Sequence, residues 1–202
     1  MSKAHWDEVW RTKPTEGMSW YQPHALRSLE LIRRVSPPPG RAIIDVGGGA
    51  STLVDDLLDT GYRDVTVLDI SPAALERSKA RLGKRADQVR WIGGDLLDVE
   101  LPRDRYDLWH DRAVFHFLTR RDHRARYVAQ VRRALRPGGF VVIATFADDG
   151  PPKCSGLDVV RYSPEGLQAE FGGGFELIAS EREEHRTPGG GMQAFMYCIF
   201  RA

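Results

Sequence analysis

The chain has 202 residues, 42% hydrophobic and 28% charged, which suits one globular domain with a sizeable core and leaves too little for two of ordinary size. With 29 Lys and Arg against 28 Asp and Glu, it lacks the basic excess of a nucleic-acid or membrane-surface binder. No apolar run approaches the roughly 20 residues of a membrane span, and "MSKAHWDEVW" is charged and aromatic rather than signal-like. Two cysteines, Cys154 and Cys198, without C-x-x-C spacing predict reduced thiols and a cytoplasmic location.

Behind an aromatic leader, "PHALRSLELIRRV" carries apolar residues at helical spacing and stops at Pro37-Pro38-Pro39-Gly40. Residues 1–36 thus form a leader and helix packed on the core. Next come strand "AIIDV", helix "STLVDDLLDT", strand "DVTVLDI" and helix "SPAALERSKARL", with Ser71 placed as N-cap and Gly83 as stop. Strand "QVRWIG", strand "YDLWHD", helix "DHRARYVAQVRRALR" and strand "GFVVIATF" continue the rhythm. Strands separated by helices predict an α/β fold, a parallel doubly wound sheet with helices on both faces. After a short helix near "SPEGLQAEF", the segments "GFELIASEREEHR" and "MQAFMYCIFR" are joined only by "TPGGG". So short a link predicts an antiparallel hairpin.

The stretch "IIDVGGGAS" reads as a strand breaking into a ligand loop. A P-loop needs a lysine that is missing here, since none follows Gly49 until Lys79. A dinucleotide loop fits at Gly47 and Gly49 but has Thr52 where the third glycine belongs. Asp45, two residues ahead of Gly47, would repel a pyrophosphate and attract a ligand bearing an ammonium and a sulfonium, such as S-adenosylmethionine. Gly47, Gly48 and Gly49 would then leave bare backbone for the methionine arm. A glycine turn without a ligand is the plain alternative. Asp69, with Ile70 beside it, lies 20 positions beyond Gly49 and can accept both ribose hydroxyls, a device dehydrogenases share. Asp95 could take the adenine amine and the Leu96 N–H the ring, or Asp95 is a solvated turn residue.

In "IIDVGGG", "TVLDIS", "GGDLLD", "YDLWHDRAVFHFL" and "LRPGGFVVIATF" the chain resembles the class I S-adenosylmethionine-dependent methyltransferases. The resemblance implies a Rossmann-like seven-stranded sheet ordered 3-2-1-4-5-7-6 with strand seven antiparallel. The leader, the Asp-Arg after strand four and "DGPP" resemble thiopurine and small-thiol S-methyltransferases. The leader also resembles lysine methyltransferases of elongation factors and citrate synthase, a group with acidic residues where Ser19 and His116 stand here.

The expected activity is methyl transfer to a small acceptor, a thiol or other soft atom favoured, leaving S-adenosylhomocysteine; a protein lysine is the alternative acceptor. A nicotinamide-dependent reductase and a non-catalytic cofactor binder are more distant readings. Trp6, Trp10, Trp20 and Tyr21 would form a lid over the cofactor, or merely anchor the leader helix to the core, and His110 would offer its carbonyl to the methionine ammonium. His116 is the candidate general base, with a helix-face histidine as the plain alternative. Asp111 and Arg112 would pair and brace the loop, or Arg112 would bind an acidic substrate. Cys154 falls near the acceptor pocket by the family pattern, although a lone loop cysteine is more often a bystander. No metal is expected from the histidine spacing, nor a nucleic-acid or membrane partner, and the chain is expected to be a monomer or weak dimer.

Overall fold

The computed structural model describes residues 3–202. The strands are β1 (Ala42–Val46), β2 (Asp64–Asp69), β3 (Val89–Gly93), β4 (Tyr106–Arg112), β5 (Leu135–Phe146), β6 (Lys153–Cys154), β7 (Leu157–Asp158), β8 (Glu176–Arg186) and β9 (Met192–Arg201). The helices are α1 (Lys3–Thr12), α2 (Leu26–Val35), α3 (Leu53–Asp59), α4 (Pro72–Leu82), α5 (Arg121–Ala134) and α6 (Pro164–Phe171).

One seven-stranded sheet runs in the order β3-β2-β1-β4-β5-β9-β8. The first five strands pair in parallel, and β9 is antiparallel to both β5 and β8. This is the expected 3-2-1-4-5-7-6 arrangement once β6 and β7 are set aside. Those two form a small separate hairpin in the loop after β5, which sequence periodicity does not reveal because each strand has two residues. Strands β1 and β4 are buried along nearly their whole length because helices cover both faces of the sheet, and their buried polar residues gather at the carboxyl ends. One core layer joins Ile43, Val65, Leu108 and Val142 to α1 through α4. The other joins Ile44, Trp109, Val141 and Ile143 to α5 and α6.

Two local expectations are corrected. Ser71 precedes α4, but its hydroxyl donates to Asp7 Oδ1 at 2.7 Å rather than capping the helix, because α1 lies against this end of α4. Strand β5 begins at Leu135 rather than Gly139, taking in "LRPGG" directly after α5. Among the described residues no helix is long and apolar enough to cross a membrane.

Candidate active site

The order in which successive strands are added reverses between β1 and β4, and loops leaving the carboxyl ends of strands on either side of such a point diverge to open a crevice. A cavity, partly open to solvent, lies there. Asp45, Gly47 and Gly48 line it from β1 and its loop, Asp69 and Ile70 from β2, Asp95 and Leu96 from the loop after β3, and His110 and Arg112 from β4. The leader closes the wall with Trp6, Trp10, Trp20 and Tyr21.

The protein's own side chains give a reason of their own for the bare glycines. A Cβ on Gly48 would collide with the carboxylate of Asp45, and one on Gly49 would come within 2.5 Å of Asp69 Oδ2 and of Ala74 Cβ. The space is filled by the protein's own carboxylates. Gly47 has φ +67°, donates its N–H to Leu68 O at 2.7 Å, and would press a Cβ into Val114. Gly49 itself does not line the cavity; its N–H donates to Asp69 Oδ2 at 3.0 Å.

Asp69 also accepts from the Ser71 N–H through Oδ1 at 2.8 Å. Burial pushes its pKa up to about 6, with the nearby Asp45 and Asp7 charges adding to the rise. Each of its oxygens keeps a lone pair for a further donor. Asp45 Oδ1 meets His110 Nδ1 at 2.6 Å, while Oδ2 is buried and receives no hydrogen bond among the described residues. Asp95 Oδ1 accepts from the Leu97 N–H at 2.9 Å and shapes the turn that presents Leu96. Three carboxylates against one guanidinium suit a cationic ligand and oppose a pyrophosphate.

The leader is held from two sides. Arg77 on α4 donates to the carbonyls of Trp10 and Lys13 and to Thr15 Oγ1, and its guanidinium lies 5.4 Å from the Trp10 ring centroid. Arg112 Nη1 donates to Trp20 O at 3.0 Å, and His185 Nε2 meets Ser19 O at 2.8 Å. Trp10 and Trp20 meet edge to face, as do Trp6 and Phe117.

Two sequence expectations fail on geometry. Asp111 and Arg112 do not pair, because adjacent residues on β4 point to opposite faces of the sheet. Asp111 is buried with Tyr127 and the Val114 and Phe115 N–H groups, and its pKa is pushed up to about 6 by burial. Arg112 turns to Tyr197 OH, Trp20 O and, at 3.6 Å, Glu183. His116 does not reach the cavity. It sits in a 3-10 turn, Phe115–Phe117, fully buried against Phe117 and Phe146, and burial with the nearby Arg112 charge brings its pKa down to about 3. Its Nδ1 receives the Phe146 N–H at 3.4 Å, so it serves the core rather than as a base for an acceptor in the cavity. Cys154 is also buried outside the cavity wall, its thiol pushed up to about 11.

Sequence reasoning missed Ser28 and Tyr197. Ser28 lines the cavity from α2 and meets His110 Nε2 at 2.9 Å. Tyr197, on β9, accepts from Arg112 Nε at 3.0 Å. The only signal was a serine among the apolar positions of an otherwise regular helix.

A doubly wound sheet with its seventh strand reversed, and an acid-flanked glycine loop at its switch point, defines the class I S-adenosylmethionine-dependent methyltransferase fold. Residues 43–139 match the family described as Methyltransferase domain, and the chain carries a methyltransferase domain of this class, whose cofactor is S-adenosylmethionine. The ubiquinone/menaquinone biosynthesis C-methyltransferase UbiE of Paracoccus denitrificans is 30% identical over 167 residues, 81% of this chain and 63% of that protein. The mouse eEF1A lysine and N-terminal methyltransferase is 24% identical over 152 residues, 72% of this chain and 22% of that protein. The chain therefore spans less than two thirds of these relatives. In fold it is similar to Burkholderia thailandensis 1,6-didemethyltoxoflavin-N1-methyltransferase, with a TM-score of 0.69, 20% identity, and coverage of 99% of this chain and 83% of the other.

Proposed function

We propose that the chain transfers a methyl group from S-adenosylmethionine to a small nucleophilic acceptor, a thiol or other soft atom being favoured. The observation that carries this reading is the leader, which folds Trp6, Trp10 and Trp20 over the cavity and is fastened by Arg77 and Arg112. A site walled in this way suits an acceptor small enough to be enclosed.

Asp45 Oδ2, buried without a protein donor, fits the methionine ammonium, and Asp69 fits the ribose hydroxyls. Asp95 and Leu96 border the place left for the base. When bound, the cofactor supplies an activated methyl group, whose bond to the sulfonium breaks in line as the acceptor's new bond forms. The chain's part is to align the acceptor, exclude water with the tryptophans and face positive charge with aromatic rings. No histidine base is required for a soft acceptor, because a thiol with an ordinary pKa near 8.5 supplies some thiolate at neutral pH and yields its proton to solvent.

The test is labelled-methyl transfer to a panel of thiols and other small nucleophiles, run beside proteins of a cell lysate. Labelled small thioethers support this reading. Label found only in protein lysine would replace it with the lysine reading, and tight NADH binding without S-adenosylmethionine binding would overturn the cofactor assignment.

A further inference from the structure

A chain of buried polar groups crosses the core beneath the cavity. Asp45 and His110 are register partners on β1 and β4, so their side chains leave the same face side by side. Asp45 Oδ1 meets His110 Nδ1 at 2.6 Å, His110 Nε2 meets Ser28 Oγ at 2.9 Å, Ser28 Oγ lies 3.5 Å from Tyr197 OH, and Tyr197 OH accepts from Arg112 Nε at 3.0 Å. Ser28, His110, Asp45 and Tyr197 are each no more than 2% exposed.

With one proton on the His110 ring, the two ends set the direction of every bond between them. A guanidinium can only donate and a carboxylate can only accept. Tyr197, accepting from Arg112, donates its O–H toward Ser28; Ser28 donates to His110 Nε2; and His110 Nδ1–H donates to Asp45. All donors point from Arg112 toward Asp45, so each bond polarises the next in the same sense. Their surroundings are apolar, with Ile43, Leu108, Val142 and Ala144 in the same core layer. Burying four polar side chains there is costly compared with an apolar core, unless their arrangement serves the site.

The arrangement ends at the one oxygen the cofactor needs. His110 engages Oδ1 of Asp45 and leaves Oδ2 against bare Gly48, without a donor among the described residues. We infer that Ser28 and His110 are positioning residues which hold the Asp45 carboxylate in the orientation that receives the cofactor's ammonium group. His110 thus acts through its ring, where the sequence pattern suggests a carbonyl contact. The inference rests on the proposed cofactor site and adds to it residues that need not touch the ligand.

The test compares S-adenosylhomocysteine with 5′-methylthioadenosine, which keeps the nucleoside and lacks the amino-acid arm, by calorimetry on the full chain. Ser28→Ala should weaken S-adenosylhomocysteine binding by about threefold to tenfold and His110→Leu by more than about tenfold, with methylthioadenosine affinity unchanged. His110→Asn, which keeps a donor at the Nδ1 position, should recover most of the loss. Equal weakening of both ligands would show a merely structural role and overturn the inference. Unchanged affinities, or an Asn variant no better than Leu, would overturn it as well. If His110→Leu does not fold, Ser28→Ala decides between the same outcomes. A wild-type chain that binds neither ligand overturns the cofactor reading itself, a failure visible before any variant is made.

Discussion

Gly48 and Asp45 share a single space: an ideal Cβ on Gly48 would stand 2.7 Å from the Asp45 Cγ and closer still to Oδ2. The glycine is thus part of the carboxylate's seat. Gly48→Ala is expected to displace the Asp45 carboxylate and weaken S-adenosylhomocysteine binding by at least about tenfold, since Asp45 is buried at 2% exposure and has little room to yield. Calorimetry beside near-ultraviolet circular dichroism checks this. A folded variant with wild-type affinity would separate the glycine from the site.

If Asp69 receives the ribose hydroxyls as proposed, cofactor affinity is expected to depend on pH. Burial raises its pKa to about 6, and only the ionised form can accept from two hydroxyls while keeping its bonds from Gly49 and Ser71. Donors on the ligand favour the carboxylate, so affinity should level off above pH 6 and fall by up to about tenfold per unit below it. Asp69→Asn should bind weakly and lose this dependence. A wild-type affinity that stays flat from pH 7.5 to about 5 would refute the ribose assignment.

Much of this site was legible because strand ends have a sequence signature. Asp45, Asp69 and Asp95 each close an apolar run, and parallel topology brings those ends to one edge. Alternation predicted the parallel part of the sheet and the short "TPGGG" link the β8–β9 hairpin, while the strand order itself came from the family resemblance. What escaped depends on which face a side chain takes. Asp111 and Arg112 looked like a pair in sequence, yet the pleat sends one to Tyr127 and the other to Tyr197. His110 and Arg112, two apart, share a face instead. Ser28 stands 82 positions from His110, and nothing in a helix pattern announces a partner across such a separation. His116 looked like a base because it comes just after "HDRAVF"; the flanking Phe115 and Phe117 were the sign that its short turn enters the core.

His116 should influence acid stability rather than catalysis. Its pKa falls from an ordinary 6.5 to about 3 on folding, so between those values the unfolded chain binds more protons. Stability contributed by the uncharged ring is complete above pH 6.5 and is lost as pH falls below it, by up to about 1.4 kcal/mol per unit. Asp69 and Asp111, raised toward 6, act in the opposite sense, so the comparison must be with a variant. Denaturant melts of wild type and His116→Phe should differ in slope from pH 6.5 downward, while the shape of the pH–rate profile for methyl transfer stays the same. A profile that loses an ionisation near neutrality in the variant would restore His116 as a base.

Arg77 should govern the lid without touching the chemistry. It gathers the Trp10 and Lys13 carbonyls at the end of α1, holds Thr15 and stacks near Trp10, so one side chain fixes both the helix end and the turn toward Trp20. Arg77→Met keeps much of the aliphatic stem and removes the donors. The loss of these bonds should cost about 1 to 3 kcal/mol, concentrated in the leader because α1 packs mainly on α4 rather than between sheet and helix layers. Proteolysis between Thr12 and Trp20 should quicken, tryptophan emission should shift to the red, and KM for the acceptor should rise severalfold with the melting midpoint of the sheet little changed. Cleavage and KM equal to wild type would mean that the leader closes the cavity without Arg77, leaving Arg112 and the packing of Trp6 on Phe117 to hold it.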